Sequence, residues 1–296
     1  MRLSILGFVL SYPIDLDLKE LYLMDTKPMN LSEDYQVVMA NSLVKAKSNL
    51  TVNEIKLLRL TIMNIVKEDT DFQTYSLRAI DFAELLNIDR HNLYRDLDRM
   101  TTNIMKELIY VRDGKNYTKF QWCSECSYND GVITIKLHDR LKPFLIQLKE
   151  YYTQYALADI LSFSSANTIK IYELIRQTLG LYHKKVYADK VANIEISVDD
   201  IREATDTQNK YTDHSMFKKW VVDKSINEIN EKSGYHITYS PIIQNRKVVK
   251  YSMTVMSRVY AKELASKSKE TKSKDTTKAI DDLLHITANN LSKNKK

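Results

Sequence analysis

One order of segments occurs twice along this chain. In each copy an apolar-periodic helix is followed by a short strand, a compact helix, a long helix and two strands. Matching landmarks, Ile55 with Ile171 and Glu107 with Glu231, are 116 and 124 residues apart. Helix, strand, helix, helix, strand, strand is the order of a winged helix. We therefore expect an α+β, mainly helical protein with two tandem winged-helix domains and short β-hairpin wings, for which 296 residues suffice.

The first copy begins at a recognisable helix start. Thr51 and Glu54 have the spacing of a capping box, in which each side chain bonds an unpaired amide of the first turn. Hydrophobic periodicity and turn residues define the segments that follow. These are a helix with Ile55, Leu58, Ile62 and Ile65; a strand around Tyr75 to Leu77; a helix from Asp81 to Leu86; a long helix from about Asn92 to Leu108; and the strands Phe120–Trp122 and Val132–Lys136, joined by a loop with Asn129-Asp130-Gly131.

The second copy repeats these segments after a connection. Leu141 to Ser162 are predicted to form a connecting helix on which Tyr151, Tyr152 and Tyr155 pack against neighbours. The segments of the copy itself are a helix around Ile169 to Ile175, a strand from Asn193 to Ser197, a short helix from Val198 to Ala204, a long helix from about Ser215 to Glu231, and the strands Tyr235–Tyr239 and Val248–Val255, joined by a basic loop.

These segments divide the chain into four parts. Residues 1–39 form an N-terminal extension, 40–150 the first winged-helix domain and 151–261 the second. Residues 262–296 form a basic tail that we expect to be disordered, because it is rich in Lys, Ser and Thr. One small amphipathic island, Ala279 to Ile286, lies within this tail.

Positive charge is concentrated in the C-terminal half. The formal net charge is +6, and residues 210–260 carry 9 Lys and Arg against 4 Asp and Glu, whereas residues 1–39 carry 3 against 6. A basic surface of this kind suits an anionic polymer such as DNA. Cationic faces on the long helices are therefore the candidate contact surfaces, since the third helix of a winged helix usually enters the major groove.

The long helix of the first copy has two distinct faces. On a helical wheel Leu93, Leu97, Met100, Ile104 and Leu108 fall on one apolar stripe. Arg95, Arg99 and Lys106, with Thr102, fall on the opposite side. This face is either a DNA-contacting surface or an ordinary solvated face, and the wheel leaves both interpretations open.

The long helix of the second copy has the same design. Val221, Val222, Ser225, Ile226 and Ile229 share a side, with Phe217 at its edge. The candidate DNA-contacting residues are Lys218, Lys219, Lys224 and Asn227 on the helix, and Arg246, Lys247 and Lys250 in the wing. Asn suits adenine, and Lys suits guanine or phosphate, while we expect the wing cations to contact phosphates. Trp220 is consistent with either a core or a DNA-facing position.

Other classes of protein are disfavoured. The five glycines are scattered, so no phosphate-cradling loop is present, and the six histidines include no adjacent or alternating pair for a nickase metal site. Cys123 and Cys126 form a single Cys-x-x-Cys with no second ligand pair at zinc spacing. We expect no enzymatic activity, no cofactor and no metal.

The segment from Leu3 to Leu10 faintly imitates a signal peptide. Acidic residues follow it instead of a small-residue cleavage site, and it is too short to span a bilayer. We expect a cytoplasmic bacterial protein that does not bind membranes. Translation from Met24 or Met29 is an alternative, in which the leading segment is not part of the protein.

Four short stretches resemble a known family. Asn53–Leu58, Ile171–Ile175, Phe217–Lys219 and Asn227–Asn230 are similar to the initiator proteins of theta-replicating, iteron-carrying plasmids, the RepB/RepE-like group. The resemblance covers about residues 40–260 and includes the tandem arrangement. The N-terminal segment and the long tail depart from the pattern.

The resemblance implies a function. Both winged helices would bind one directly repeated origin sequence on successive turns of double-stranded DNA, without nucleotide chemistry. Monomers would initiate replication, dimers joined through the first domain would repress their own gene, and a host initiator, helicase or primase would be recruited. Separately, the positive charge concentrated in residues 210–260 predicts that the second domain dominates sequence recognition. The alternative is a winged-helix transcriptional regulator without a replication role, because fold alone does not choose between them.

Overall fold

A computed structural model of the chain describes residues 26–32, 35–47, 49–113, 115–181, 191–264 and 266. The helices are α1 Asn41–Lys45, α2 Val52–Met63, α3 Ala79–Leu86, α4 Leu93–Lys106, α5 Lys142–Leu145, α6 Leu157–Leu161, α7 Ala166–Leu181, α8 Val198–Ala204, and α9, which consists of His214–Phe217, Lys218–Asp223 and Lys224–Lys232. The strands are β1 Thr26–Pro28, β2 Gln36–Ala40, β3 Thr74–Arg78, β4 Leu108–Asp113, β5 Asn116–Gln121, β6 Cys123–Asn129, β7 Val132–Leu137, β8 Tyr152–Ala156, β9 Ala192–Ser197, β10 Tyr235–Gln244 and β11 Lys247–Ser257.

The first unit is a winged helix built on a four-stranded sheet. Its strand order is β1-β3-β7-β6, in which β3–β7 and β7–β6 are antiparallel and β1–β3 is parallel. The alternating residues Ile133, Ile135 and Leu137 of β7 are fully buried, as expected for a strand with one face on a core. The wing is the β6–β7 hairpin, which turns at Asp130-Gly131.

The first unit also has a hairpin that the repeat does not predict. Strands β4 and β5 pair with each other between α4 and the wing. Phe120 therefore belongs to β5, and the first wing strand is Cys123–Asn129 rather than the expected Phe120–Trp122. Leu108 opens β4 and is 47% exposed, so the expected extension of the helix and its apolar stripe to Leu108 was wrong.

The second unit repeats the winged-helix order with a three-stranded sheet, β10-β11-β9. β11 is antiparallel to both neighbours, as β7 is in the first unit. The buried residues Tyr251, Met253 and Val255 alternate along β11 and face the helices. The strand, short helix and long helix of this unit lie where the sequence places them.

The connection between the units differs from the predicted helix. Residues 141–162 include the short helix α5, the strand β8 and the short helix α6. Strand β8 pairs with β2, with Thr153 opposite Met39. The backbone hydrogen bonds of β8 therefore join it to another strand and not to the next turn of a helix. Tyr155 is fully buried, whereas Tyr151 and Tyr152 are exposed. The strands β1 and β2 also show that residues before position 40 contribute to the fold of the first unit.

The first helices of the two units share a buried ion pair. Arg59 of α2 donates from Nε to Glu173 Oε1 of α7 at 2.7 Å and from Nη2 to Oε2 at 3.2 Å, and both side chains are almost completely inaccessible. Tyr155 donates its hydroxyl hydrogen to Glu173 Oε1 at 2.6 Å. Lys170 Nζ lies 4.0 Å from Glu173 Oε2, and burial lowers the pKa of Lys170 to about 8. Two cations thus share one carboxylate at the junction of the units.

Among the described residues no helix has the length and apolar character needed to cross a bilayer. The island Ala279–Ile286 and the segment Leu3–Leu10 lie outside the described residues.

Candidate nucleic-acid interface

The outward face of α4 carries the cations predicted from the wheel. Leu93, Leu97, Met100 and Ile104 are buried, and Arg95, Arg99 and Lys106 are exposed on the other side. Arg99 Nη2 donates to Asp96 Oδ1 at 3.2 Å, within the same helix. Because these three side chains are exposed, they are accessible to a ligand.

The apolar face of α9 also lies where the wheel places it. Phe217, Val221, Val222, Ser225, Ile226 and Ile229 are all buried. The middle of the helix, Lys218–Asp223, is π-helical. Such insertions change which side chains share a face and are common at functional sites.

Lys218 does not point freely into solvent. Its ammonium group bonds both carboxylate oxygens of Asp223 at 2.9 Å and lies 5.3 Å from the ring centre of Tyr239, whose hydroxyl also donates to Asp223. The hydrogen bond to Asp223 raises the pKa of Lys218. Because a carboxylate already compensates its charge, Lys218 is a weaker candidate for phosphate contact than its neighbour.

Lys219, Lys224 and Asn227 are exposed on α9. Lys219 Nζ lies 5.2 Å from the ring centre of Trp220, and Trp220 is 45% exposed. Trp220 is therefore outside the core, which answers the question that the sequence left open. The start of α9 presents an aromatic ring beside an ammonium group.

The wing of the second unit is long and basic at its tip. Arg246, Lys247 and Lys250 are exposed on the β10–β11 hairpin, and Lys250 Nζ bonds Glu195 Oε2 at 3.1 Å. The strands are joined by the two-residue turn Asn245-Arg246, between the paired residues Gln244 and Lys247. This wing therefore holds two cations at its tip with no ion pair to a described residue.

A glutamate fixes the long helix of each unit to the start of that unit's first helix. In the first unit Glu54 accepts from the Thr51 amide at 2.8 Å, completing the predicted capping box, and from Asn103 Nδ2 of α4 at 2.9 Å. In the second unit Glu228 of α9 accepts from the Ser164 amide at 2.6 Å and from Thr168 Oγ1 at 2.6 Å. These bonds connect the long helices α4 and α9 to the first helices of their units.

The pKa of Glu228 is strongly shifted. Burial acts to raise it, but hydrogen bonds from Thr168, Lys232 and Ser164 to the charged form prevail and lower it to about 2. The carboxylate is therefore ionised at neutral pH.

The cysteines and histidines form no site among the described residues. No group of three or more His, Cys, Asp or Glu side chains there is arranged to hold a metal ion. Cys123 is buried and Cys126 is half-buried, and both are free thiols.

Two features of the interface escaped the sequence analysis. Tyr94 at the start of α4 is 62% exposed and contacts Tyr128 of the first wing edge-on, with ring centres 5.4 Å apart. Ile243 is 62% exposed next to the tip of the second wing. Strand alternation alone would assign Ile243 to the core face. Its exposure follows from the length of the hairpin, which extends beyond the core at this residue.

Comparison with family models gives two matches in the expected order. Residues 36–176 match the model described as Initiator Replication protein, WH1, and residues 197–255 match the model described as Initiator Rep protein, WH2. Together these models cover more than half of the chain. The predicted tandem of two winged-helix domains is confirmed.

Individual proteins show the same relationship. A replication initiation protein of Escherichia coli is 28% identical over 207 residues, which cover 67% of this chain and 63% of that protein. The PI protein of Escherichia coli is 29% identical over 194 residues, 54% of this chain and 61% of that protein. The match thus spans less than two thirds of either relative's length.

A solved structure shares the fold. The crystal structure of Pi initiator protein in complex with iteron DNA superposes with a TM-score of 0.63 at 18% identity, and the match covers 77% of this chain and 99% of that one.

Proposed function

Because this chain belongs to the family of initiator replication proteins, we propose that it initiates theta-type replication of a plasmid by binding directly repeated origin sequences. Each winged helix places its long helix in the major groove, α4 on one turn of the duplex and α9 on the next. The observation that carries the proposal is that both long helices bury their apolar face in a core and present cations on the other face.

The chemistry of these faces suits DNA. Phosphate contacts by Arg95, Lys106 and Lys247 supply affinity, while Lys219 can bond the edge of a guanine and Asn227 that of an adenine. The iteron-bound Pi initiator, which has the same fold, supports this mode of binding. Binding should fall steeply with added salt, because neutralised phosphates release counterions.

Further parts of the proposal concern partners. The initiating form is a monomer, a dimer joined through the first unit represses the chain's own gene, and a host initiator, helicase or primase is recruited. We place the protein in the bacterial cytoplasm, where it acts on DNA without catalysis of its own, without a cofactor and without a membrane partner. We propose that Ala279–Ile286, outside the described residues, docks the host protein. Deleting residues 262–296 should then stop replication and leave repeat binding intact, whereas unaffected replication would remove this part of the proposal.

A plasmid test addresses the main proposal. A plasmid carrying the DNA that flanks the gene, with the chain supplied from a second replicon, should be maintained in a host that cannot otherwise replicate it. The double variant Lys219→Ala/Asn227→Ala should abolish maintenance, while Lys142→Ala, which removes a cation paired with Asp71 and Asp139, should not. Binding only to a single inverted repeat over the promoter, with no plasmid maintained, would instead establish the alternative, a transcriptional regulator. The family models and the relatives favour the initiator over that alternative.

A further inference from the structure

The two wings end in turns of the same geometry but of different sequence. Asp130 and Gly131 of the first wing have φ of 44° and 85°, and Asn245 and Arg246 of the second have φ of 49° and 64°. Two successive left-handed residues form the two-residue hairpin turn that is usually written Asn-Gly or Asp-Gly. The second wing therefore has an arginine at the position that normally requires glycine.

This arginine costs backbone strain that a glycine would avoid, because a Cβ atom crowds the following carbonyl oxygen in the left-handed region. Space does not explain the difference between the wings. A Cβ atom built on Gly131 would meet no atom within 4 Å, so the first wing also has room for a side chain. Strained residues that persist in a fold concentrate at functional positions, and the guanidinium group is the gain that offsets the strain at Arg246.

The surroundings of Arg246 indicate what the group is for. Ile243 is 62% exposed, and strand alternation puts it on the same face as Tyr239 and Pro241, continuing the core face beyond the core. A bulge at Val249 shifts the register between Ile242 and Ile243 and adds twist just before the tip. The tip thus combines an apolar side chain with a guanidinium group and, one residue on, the ammonium group of Lys247.

This combination suits the minor groove better than the outer face of the backbone. A narrow minor groove over A·T pairs has an enhanced negative potential that attracts arginine, and proteins that bind this groove often insert apolar side chains, including Ile, between its base steps. A phosphate contact needs neither an exposed isoleucine nor an arginine at the strained position, because Lys247 on the adjoining strand is an exposed cation that can supply it.

We propose that Arg246 and Ile243 enter the minor groove beside the segment that α9 covers, and that Arg246 favours A·T over G·C pairs there. The inference rests on the proposed binding of origin repeats and assigns Arg246 a base-discriminating role in place of the phosphate contact expected from the sequence. Lys247 remains a phosphate contact.

Base analogues separate the two grooves. An I·C pair lacks the minor-groove amino group of G·C but presents the same major-groove edge as G·C. The protein is titrated into a duplex that contains one repeat from the DNA flanking the gene. In two further duplexes the A·T pairs on either side of the segment that α9 covers are replaced, by I·C in one and by G·C in the other. The wild-type protein should tolerate I·C and lose roughly 5- to 100-fold in affinity with G·C at the pairs that the wing contacts.

Matched variants test the residues. Arg246→Gly should bind more weakly and lose the preference for I·C over G·C, while its thermal midpoint stays the same or rises. Lys247→Ala should weaken binding to all duplexes by a similar factor and retain the preference. Ile243→Ala should weaken binding several-fold with an unchanged thermal midpoint.

The inference is overturned if I·C is as harmful as G·C, if Arg246→Gly keeps the preference, or if Ile243→Ala binds like wild type. Failure of the wild-type protein to bind any direct repeat would instead overturn the proposed function, so the two failures are distinguishable.

Discussion

The two winged helices share an order of elements, yet they differ where each would meet DNA. The first has a straight α4, an added hairpin β4–β5 and a wing that turns at Asp130-Gly131. The second has a π-helical segment in α9 and a longer wing that turns at Asn245-Arg246. Both kinds of difference also reach the core, since Ile109 and Phe120 of the added hairpin and Val221 and Val222 of the π-helical segment are buried. Under the proposed function, this contrast assigns sequence recognition mainly to the second unit.

The two units also differ in how the long helix is bonded to the first helix. In the first unit the glutamate belongs to the first helix and accepts from α4 through Asn103. In the second unit the glutamate belongs to α9 itself and caps the start of α7 with several short bonds. Glu228 thus gives α9 three hydrogen bonds to the start of α7, which fits the proposed placement of Asn227 against a base edge.

The largest expected effect concerns the buried ion pair between α2 and α7. Glu173→Gln leaves Arg59 and Lys170 buried without a carboxylate, which should cost about 3–5 kcal/mol of the free energy of unfolding in urea. Asp81→Asn breaks the exposed pair with Arg78 and should cost less than about 1 kcal/mol. A loss for Glu173→Gln no greater than for Asp81→Asn would show that the units do not depend on this contact.

The next effect tests which unit recognises sequence. Asn227→Ala and Lys219→Ala should each weaken binding to the cognate repeat more than binding to random DNA, Asn227→Ala by about 1–3 kcal/mol, as expected for loss of a base contact. Arg95→Ala in the first unit should weaken both by a similar factor. Fluorescence anisotropy on the two duplexes at one salt concentration measures both affinities. Equal losses on cognate and random DNA for Asn227→Ala would reduce α9 to a backbone contact.

A similar or smaller loss of stability is expected from changing Glu228, which bonds α9 to the start of α7. The folded-state pKa of Glu228 is about 2, below its usual value of 4.5, so its contribution to stability is fully present above about pH 5 and is lost as the pH falls towards 2. Glu228→Gln should lower stability at pH 7 by about 1–3 kcal/mol and flatten the decline between pH 5 and pH 2. Lys232→Ala, which removes a more exposed partner of Glu228, should cost less than about 1 kcal/mol. If the free energies of unfolding of wild type and Glu228→Gln fell in parallel with falling pH, Glu228 would not stabilise the attachment of α9.

The smallest expected effect is the change in stability when the turn residues of the two wings are exchanged. Arg246→Gly should raise the free energy of unfolding by about 0.5–1 kcal/mol, and Gly131→Arg should lower it by a similar amount, because only glycine adopts these φ values without strain. Thermal unfolding of both variants beside wild type measures this. Destabilisation by Arg246→Gly would mean that the arginine side chain stabilises the free protein and not a complex.

The sequence predicts those parts of the molecule that follow from local periodicity. The buried and exposed faces of α4 and α9 and the Thr51–Glu54 capping box were predicted because they depend on spacing within one helix. The strand β8 was predicted as part of a helix, because its pairing partner β2 lies more than 100 residues earlier in the chain. The ion pair of Lys218 with Asp223 was missed because a five-residue spacing brings side chains together only in a π-helical segment. The DNA contacts assigned to individual residues stay predictions.

The central claim is that α4 and α9 lie on successive turns of one duplex, and a hydroxyl-radical footprint of a single repeat tests it most directly. Wild-type protein should protect two tracts on one face of the duplex, centred about 10–11 base pairs apart. Arg95→Ala/Lys106→Ala should weaken only one tract, and Lys219→Ala/Asn227→Ala only the other. A single protected tract, or loss of the same tract in both double variants, would contradict the account.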